Sequence, residues 1–187
     1  DETYQTNESD FNAILTTVKA SAAECVFIPC SIATATLILP QAQAVGLDAH
    51  ILGSDTWENE SIVMAAGSAA EGVVFSTFFD ENDESTPLAK DFVAGFKAFL
   101  NEDPQRVTLN GGTDGVAAVS ALGYDAYMTM VAALASLDGV EGDLTSVNLR
   151  DALAAVNHDG VTGNITFDET GDANKDSAYL KKVEGGK

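Results

Sequence analysis

The segment His50-Ile-Leu-Gly-Ser-Asp-Thr-Trp57 holds a short apolar run that ends in glycine and then presents an acidic residue and an indole. A second such run follows in Glu71-Gly-Val-Val-Phe-Ser-Thr-Phe-Phe79, and a third precedes them in Cys25-Val-Phe-Ile-Pro29. Between the runs lie helical stretches, at 34 to 45 with a glycine stop at Gly46, and at about 60 to 67. Short apolar strands alternating with helices predict a parallel sheet. In open sheets of this kind the ligand sits beyond the carboxyl ends of the strands, so a carboxylate immediately after a strand is placed to meet a small cationic group. Asp55 is therefore the first candidate site residue.

Outward from this core, Phe11, Ile14, Leu15 and Val18 form one apolar helical face behind the caps Ser9 and Asp10, predicting a helix over 10 to 22. The acidic segment at 80 to 85 breaks the alternation. From Pro87 three helices are expected with no strand between them, at 87 to 100, 115 to 136 and 145 to 156. The stretch from 101 to 114 is the most loop-like part. After His158 the residues return to strand and turn types, with a last strand at 178 to 183.

Composition bounds the function. The chain has 187 residues, 45% of them hydrophobic, enough to bury a core. Its 29 acidic residues against 9 basic ones give a net charge of -20, which repels nucleic acid and anionic membrane surfaces alike, so neither is expected as a partner. No apolar run is expected to reach membrane-spanning length. Cys25 and Cys30 lie on one extended run at odd separation and are expected to be free thiols. His50 and His158 stand without further ligands at metal spacing. Asp80-Glu-Asn-Asp-Glu84 and Asp168-Glu-Thr-Gly-Asp-Ala-Asn174 lack the glycine and distal glutamate of a calcium loop. No cofactor, metal or catalytic residue is expected.

The motifs Gly53-Ser-Asp-Thr-Trp57, Ala70-Glu-Gly-Val73, Ala121-Leu-Gly-Tyr-Asp-Ala126 and the segment Gly160-Val-Thr-Gly-Asn-Ile-Thr-Phe-Asp-Glu-Thr-Gly-Asp172 occur in this order. Together they resemble the C-terminal half of the branched-chain amino acid type of extracellular solute-binding protein of ABC transporters, which has the two-lobed type I periplasmic binding protein fold. The resemblance implies an α/β chain. Residues 1 to 79 and 158 to 187 would form a parallel-sheet C-terminal lobe, and 80 to 157 would supply only late helices of the N-terminal lobe. It implies no enzyme, but a receptor that captures an amino acid or similar solute and delivers it to a membrane permease. The location would be extracytoplasmic, periplasmic or as a cell-surface lipoprotein. Asp55 matches the acidic residue that meets the ligand's α-ammonium, and Trp57 would help wall the pocket. Ser31 and Ile32 occupy positions where similar proteins carry aromatic residues, the order here being Pro29-Cys-Ser-Ile-Ala33; Ser31 either donates to the ligand or caps the next helix. Val119 matches a position that touches the ligand side chain from the other lobe.

The resemblance also places a central strand and a first helix of the C-terminal lobe before Asp1. Unpaired backbone and exposed apolar faces would follow, so the chain is expected to retain a complementary N-terminal chain or to swap elements with a second copy, and to bind weakly or not at all on its own. The rival reading is a ligand-sensing regulatory domain on the same fold.

Overall fold

Four strands pair in the order β1 (Cys25–Ile28), β2 (His50–Gly53), β3 (Val74–Thr77) and β6 (Tyr179–Lys182), in a computed structural model that describes residues 1–83, 85–138, 145–175 and 178–186. The first three run parallel, with Ile28 opposite Gly53 and Gly53 opposite Phe75. β6 runs antiparallel to β3, Thr77 facing Tyr179 and Val74 facing Lys182. The expected parallel sheet is present in β1 to β3, and β6 adds an antiparallel strand to it. A strand that returns to a sheet from elsewhere in the chain is free of the right-handed crossover that fixes parallel direction in successive strand–helix–strand units.

The chain divides into two compact units, Asp1–Thr77 with Tyr179–Lys187, and Phe78–Ala178. In the first, helices α1 (Asn12–Ala20), α2 (Ile32–Val45) and α3 (Ser61–Ala66) supply the core: Phe11, Leu15, Ala35, Ile38, Leu39, Ile62 and Ala66 gather with Trp57, Phe75 and Val183. Gly46 closes α2 in the left-handed conformation at φ 67°, as a glycine stop requires. Alternation along the strands sends Ile28, Ile51 and Phe75 into this core. The opposite side of the sheet carries Phe27, Leu52, Val74 and Leu180, and of these Phe27 is 62% and Leu180 77% exposed. β1 is therefore an edge strand with one uncovered side, where a buried strand was expected.

The second unit holds α4 (Pro87–Asn101), α5 (Pro104–Leu109), α6 (Ala118–Ser136), α7 (Ser146–Ala154) and the antiparallel hairpin of β4 (His158–Gly160) and β5 (Gly163–Ile165). α5 lies where a loop was expected. Asp103 caps it by accepting from Gln105 N, and Pro104 takes its first turn. α6 is long and apolar enough, by length and composition, to cross a membrane, in contrast to the reading of the sequence. Its Ala118 and Ala121 join the core of this unit with Phe79, Ala89, Val116 and Val161. Residues 158 to 175 group with the helices. The reason is Asp125 of α6, 2% exposed, which accepts from Val161 N at 2.7 Å, Thr162 N at 2.8 Å and Thr162 Oγ1 at 2.6 Å.

Candidate functional site

Three parallel strands bring their carboxyl ends to one side of the first unit, and the loops leaving β1 and β2 meet there. The meeting point is the carbonyl of Cys30. It accepts from Thr56 Oγ1 at 2.8 Å and from the Trp57 indole Nε1 at 2.9 Å. A buried carbonyl with two donors leaves neither loop free to drift. Residues Asp55–Trp57 form a single tight turn, braced by the Ser54 and Thr56 hydroxyls 2.9 Å apart.

Asp55 opens that turn and is exposed. No side chain or backbone group among the described residues hydrogen-bonds or ion-pairs with its carboxylate. Trp57, two residues on, is completely buried, and its ring fills the space over Gly53: a Cβ there would lie 2.4 Å from the ring. The indole thus sits in the core beneath the turn. Ser31 caps α2, its Oγ accepting from Thr34 N at 3.3 Å, and remains exposed. Ile32 is half-buried against the same core. Asp55, Trp57, Ser31 and Ile32 therefore share one end of one sheet. Val119 belongs to the other unit, on α6, where it is 72% exposed.

Glu58, immediately after Trp57, is a residue that sequence reasoning passed over. Its side chain is only 9% exposed; Thr77 Oγ1 donates to Oε2 at 2.7 Å and Lys181 pairs with Oε1. The one available signal was an acidic residue following a buried tryptophan. Its cation lies 123 positions away, beyond any local pattern.

Cys30 is buried, and burial pushes its thiol up, away from the thiolate form that a nucleophile needs. Among the described residues no three His, Cys, Asp or Glu side chains are placed to hold a metal ion. The carboxylates of the two acidic loops are engaged locally or by neighbouring elements, Glu81 pairing with Lys97 at 2.9 Å and accepting from Val116 N at 3.0 Å. Asp80 Oδ1 accepts from Asn82 N and Nδ2, and Glu84 lies outside the described residues. Asp168 Oδ1 accepts from the Thr170 hydroxyl and from the backbone of Thr170 and Asp172; these bonds, the hydroxyl's first, hold its carboxyl below the usual range.

Comparison with known proteins adds independent findings. A family model described as periplasmic binding protein matches residues 1–187. A leucine-, isoleucine-, valine-, threonine- and alanine-binding protein of Pseudomonas aeruginosa is 30% identical over 173 residues, 91% of this chain and 41% of that protein. Among solved structures, a leucine-binding protein of Thermotoga maritima superposes with a TM-score of 0.81 at 28% identity, over 98% of this chain and 48% of its own. A branched-chain amino acid transporter substrate-binding protein of Streptococcus pneumoniae, solved with isoleucine, gives 0.76 at 28% identity over 100% and 49%. The chain thus spans about half the length of the relatives it matches.

Proposed function

The chain belongs to the periplasmic binding protein family, and on that premise we propose that it is the C-terminal half of a receptor that holds an aliphatic amino acid through Asp55. Its fold is the α/β type I form related to the receptors of ABC transporters. Proteins of this family bind solutes without transforming them and work outside the cytoplasm.

One observation carries the proposal: a solvent-facing carboxylate without a partner among the described residues, on a turn locked by the Cys30 carbonyl, at the end of a parallel strand. A preorganised carboxylate accepting from an α-ammonium is one of the stronger polar contacts available, and it orients the ligand as well as holding it. The relatives' names supply the ligand class, amino acids with aliphatic side chains. In this reading Ser31, an exposed hydroxyl at the same sheet end, meets the ligand's polar groups. Ile32 borders the apolar side, and Trp57 acts by holding the turn beneath Asp55. Residues 1 to 77 with 179 to 187 correspond to the C-terminal lobe, and the helices after residue 80 to the N-terminal one. A membrane permease of an ABC transporter receives the ligand.

Asp55→Ala in the full-length protein is expected to weaken binding of L-leucine, L-isoleucine or L-valine by about 10–100-fold, since a hydrogen bond to a charged group contributes about 1.5–3 kcal/mol. Isothermal titration against these amino acids checks it. Unchanged affinity for whichever of them binds would remove Asp55 from the site.

The half-length chain is also proposed to pair with a complementary N-terminal segment and to bind poorly without it. Both units leave apolar surface open: Phe27 and Leu180 on the sheet, and Tyr127, Met130, Val131 and Leu134 on α6. The edge of β1 offers unpaired backbone to a further strand. Native mass spectrometry of the 187-residue chain mixed with the separately produced N-terminal half of the full-length protein is expected to show a one-to-one complex. A homodimer would replace that occupant with a second copy, and a bare monomer would overturn the pairing.

A further inference from the structure

The geometry points to Glu58 as a positioning residue that latches the Asp55 turn to both strands through which the chain leaves and re-enters the first unit. The inference deepens the proposed binding site and rests on that reading for its functional meaning. The chain leaves this unit after Thr77 and returns at Tyr179. Thr77 is fully buried at the end of β3 and donates through Oγ1 to Glu58 Oε2 at 2.7 Å. Lys181, two residues into β6, pairs with the other oxygen, Oε1. One carboxylate therefore holds the last residue of the outgoing strand and the third of the returning strand, and the two strands pair side by side in the sheet, Thr77 with Tyr179 and Phe75 with Lys181.

The carboxylate's own backbone ties it to the site. Glu58 N closes the turn by donating to Asp55 O at 3.3 Å, and Glu58 follows directly on Trp57. A carboxylate only 9% exposed is tolerated because a cation and a hydroxyl compensate its lost hydration. Without Lys181 the charge is driven toward water, and the only segment it can take with it is the turn that carries Asp55. A displacement of either crossing strand reaches the turn by the same route.

Trp57 gives the test a reporter, because it is the single tryptophan of the chain and is buried under the turn. In the 187-residue chain, Lys181→Met and Glu58→Gln are expected to raise amide hydrogen exchange over residues 54 to 60 by about tenfold relative to the strands β1 and β3, and to shift Trp57 emission toward that of a hydrated indole. Lys181→Arg, which keeps the charge, restores both. An ion pair that merely stabilised the unit would raise exchange in the strands and the turn alike, and that uniform result, or no change in either signal, overturns the latch. A parallel titration of the full-length protein with L-leucine separates the two readings. A wild type that binds none of the aliphatic amino acids removes the receptor reading while the exchange data still decide the latch. A wild type that binds, with Glu58→Gln unchanged in affinity, overturns its role in positioning Asp55.

Discussion

Asp125→Ala lowers the melting temperature of the Phe78–Ala178 unit by roughly 10–20 °C, the equivalent of about 3 kcal/mol for a domain of this size. The carboxylate is buried and takes three hydrogen bonds, two from backbone N–H groups of Val161 and Thr162 and one from the Thr162 hydroxyl. Truncation to alanine leaves those buried donors without acceptors, and each such loss costs more than the bond contributed when made. The effect spreads further because Thr162 Oγ1 also accepts from Lys175 Nζ at 2.7 Å, so the hairpin and the segment after it lose a shared anchor. Asn is a poor substitute, since its amide nitrogen faces a donor where the second carboxylate oxygen stood. Gly160 tests the same packing from the other side: a Cβ there would sit 2.6 Å from the Asp125 carboxyl. Calorimetry on Asp125→Ala, with exchange over 158 to 166, decides the matter, and a melting point within a degree or two of wild type would show that water replaces the carboxylate.

The second large effect belongs to Trp57 and Gly53. Trp57→Ala is expected to cost about 3–5 kcal/mol, the range for removing a large aromatic from a core. The loss combines the empty volume with the indole donor to Cys30 O, of which only Thr56 Oγ1 would remain. Gly53→Ala is costly for the opposite reason, its Cβ meeting the Trp57 ring at 2.4 Å, where the fully buried indole has no room to yield. The two changes should therefore be strongly non-additive. In the Trp57→Ala background the added methyl enters the vacated space, and Gly53→Ala becomes nearly neutral. Denaturant melts of the four proteins measure the cycle, and additive costs would place the indole elsewhere than over Gly53.

These residues also show where the sequence was readable. Strands after 25, 49 and 73 announced themselves as short apolar runs, and Gly46, Ser31 and Pro87 punctuated the helices as their backbone chemistry demands. Asp55 at a strand end was legible because the position alone carries the argument. α5 was missed although Asp103-Pro104 is a capping pair, because the surrounding asparagines and glycines outweighed it. The antiparallel entry of β6, the hold of Asp125 on the hairpin 36 and 37 positions away, and the pairing of Glu58 with Lys181 all depend on contacts between distant segments. No local periodicity encodes these. Trp57 shows a subtler limit, since an indole beside a site reads the same in sequence whether it faces the ligand or the core.

The uncovered side of β1 has a chemical consequence as well as a packing one. Cys25 is exposed and lies two residues from Phe27, hence on that same side, while Cys30 is buried. In the oxidising space where the family works, the accessible thiol is the one that reacts. A segment that covered Phe27 would also shield this sulfur, and so would keep the chain from being joined to another copy by an adventitious disulfide.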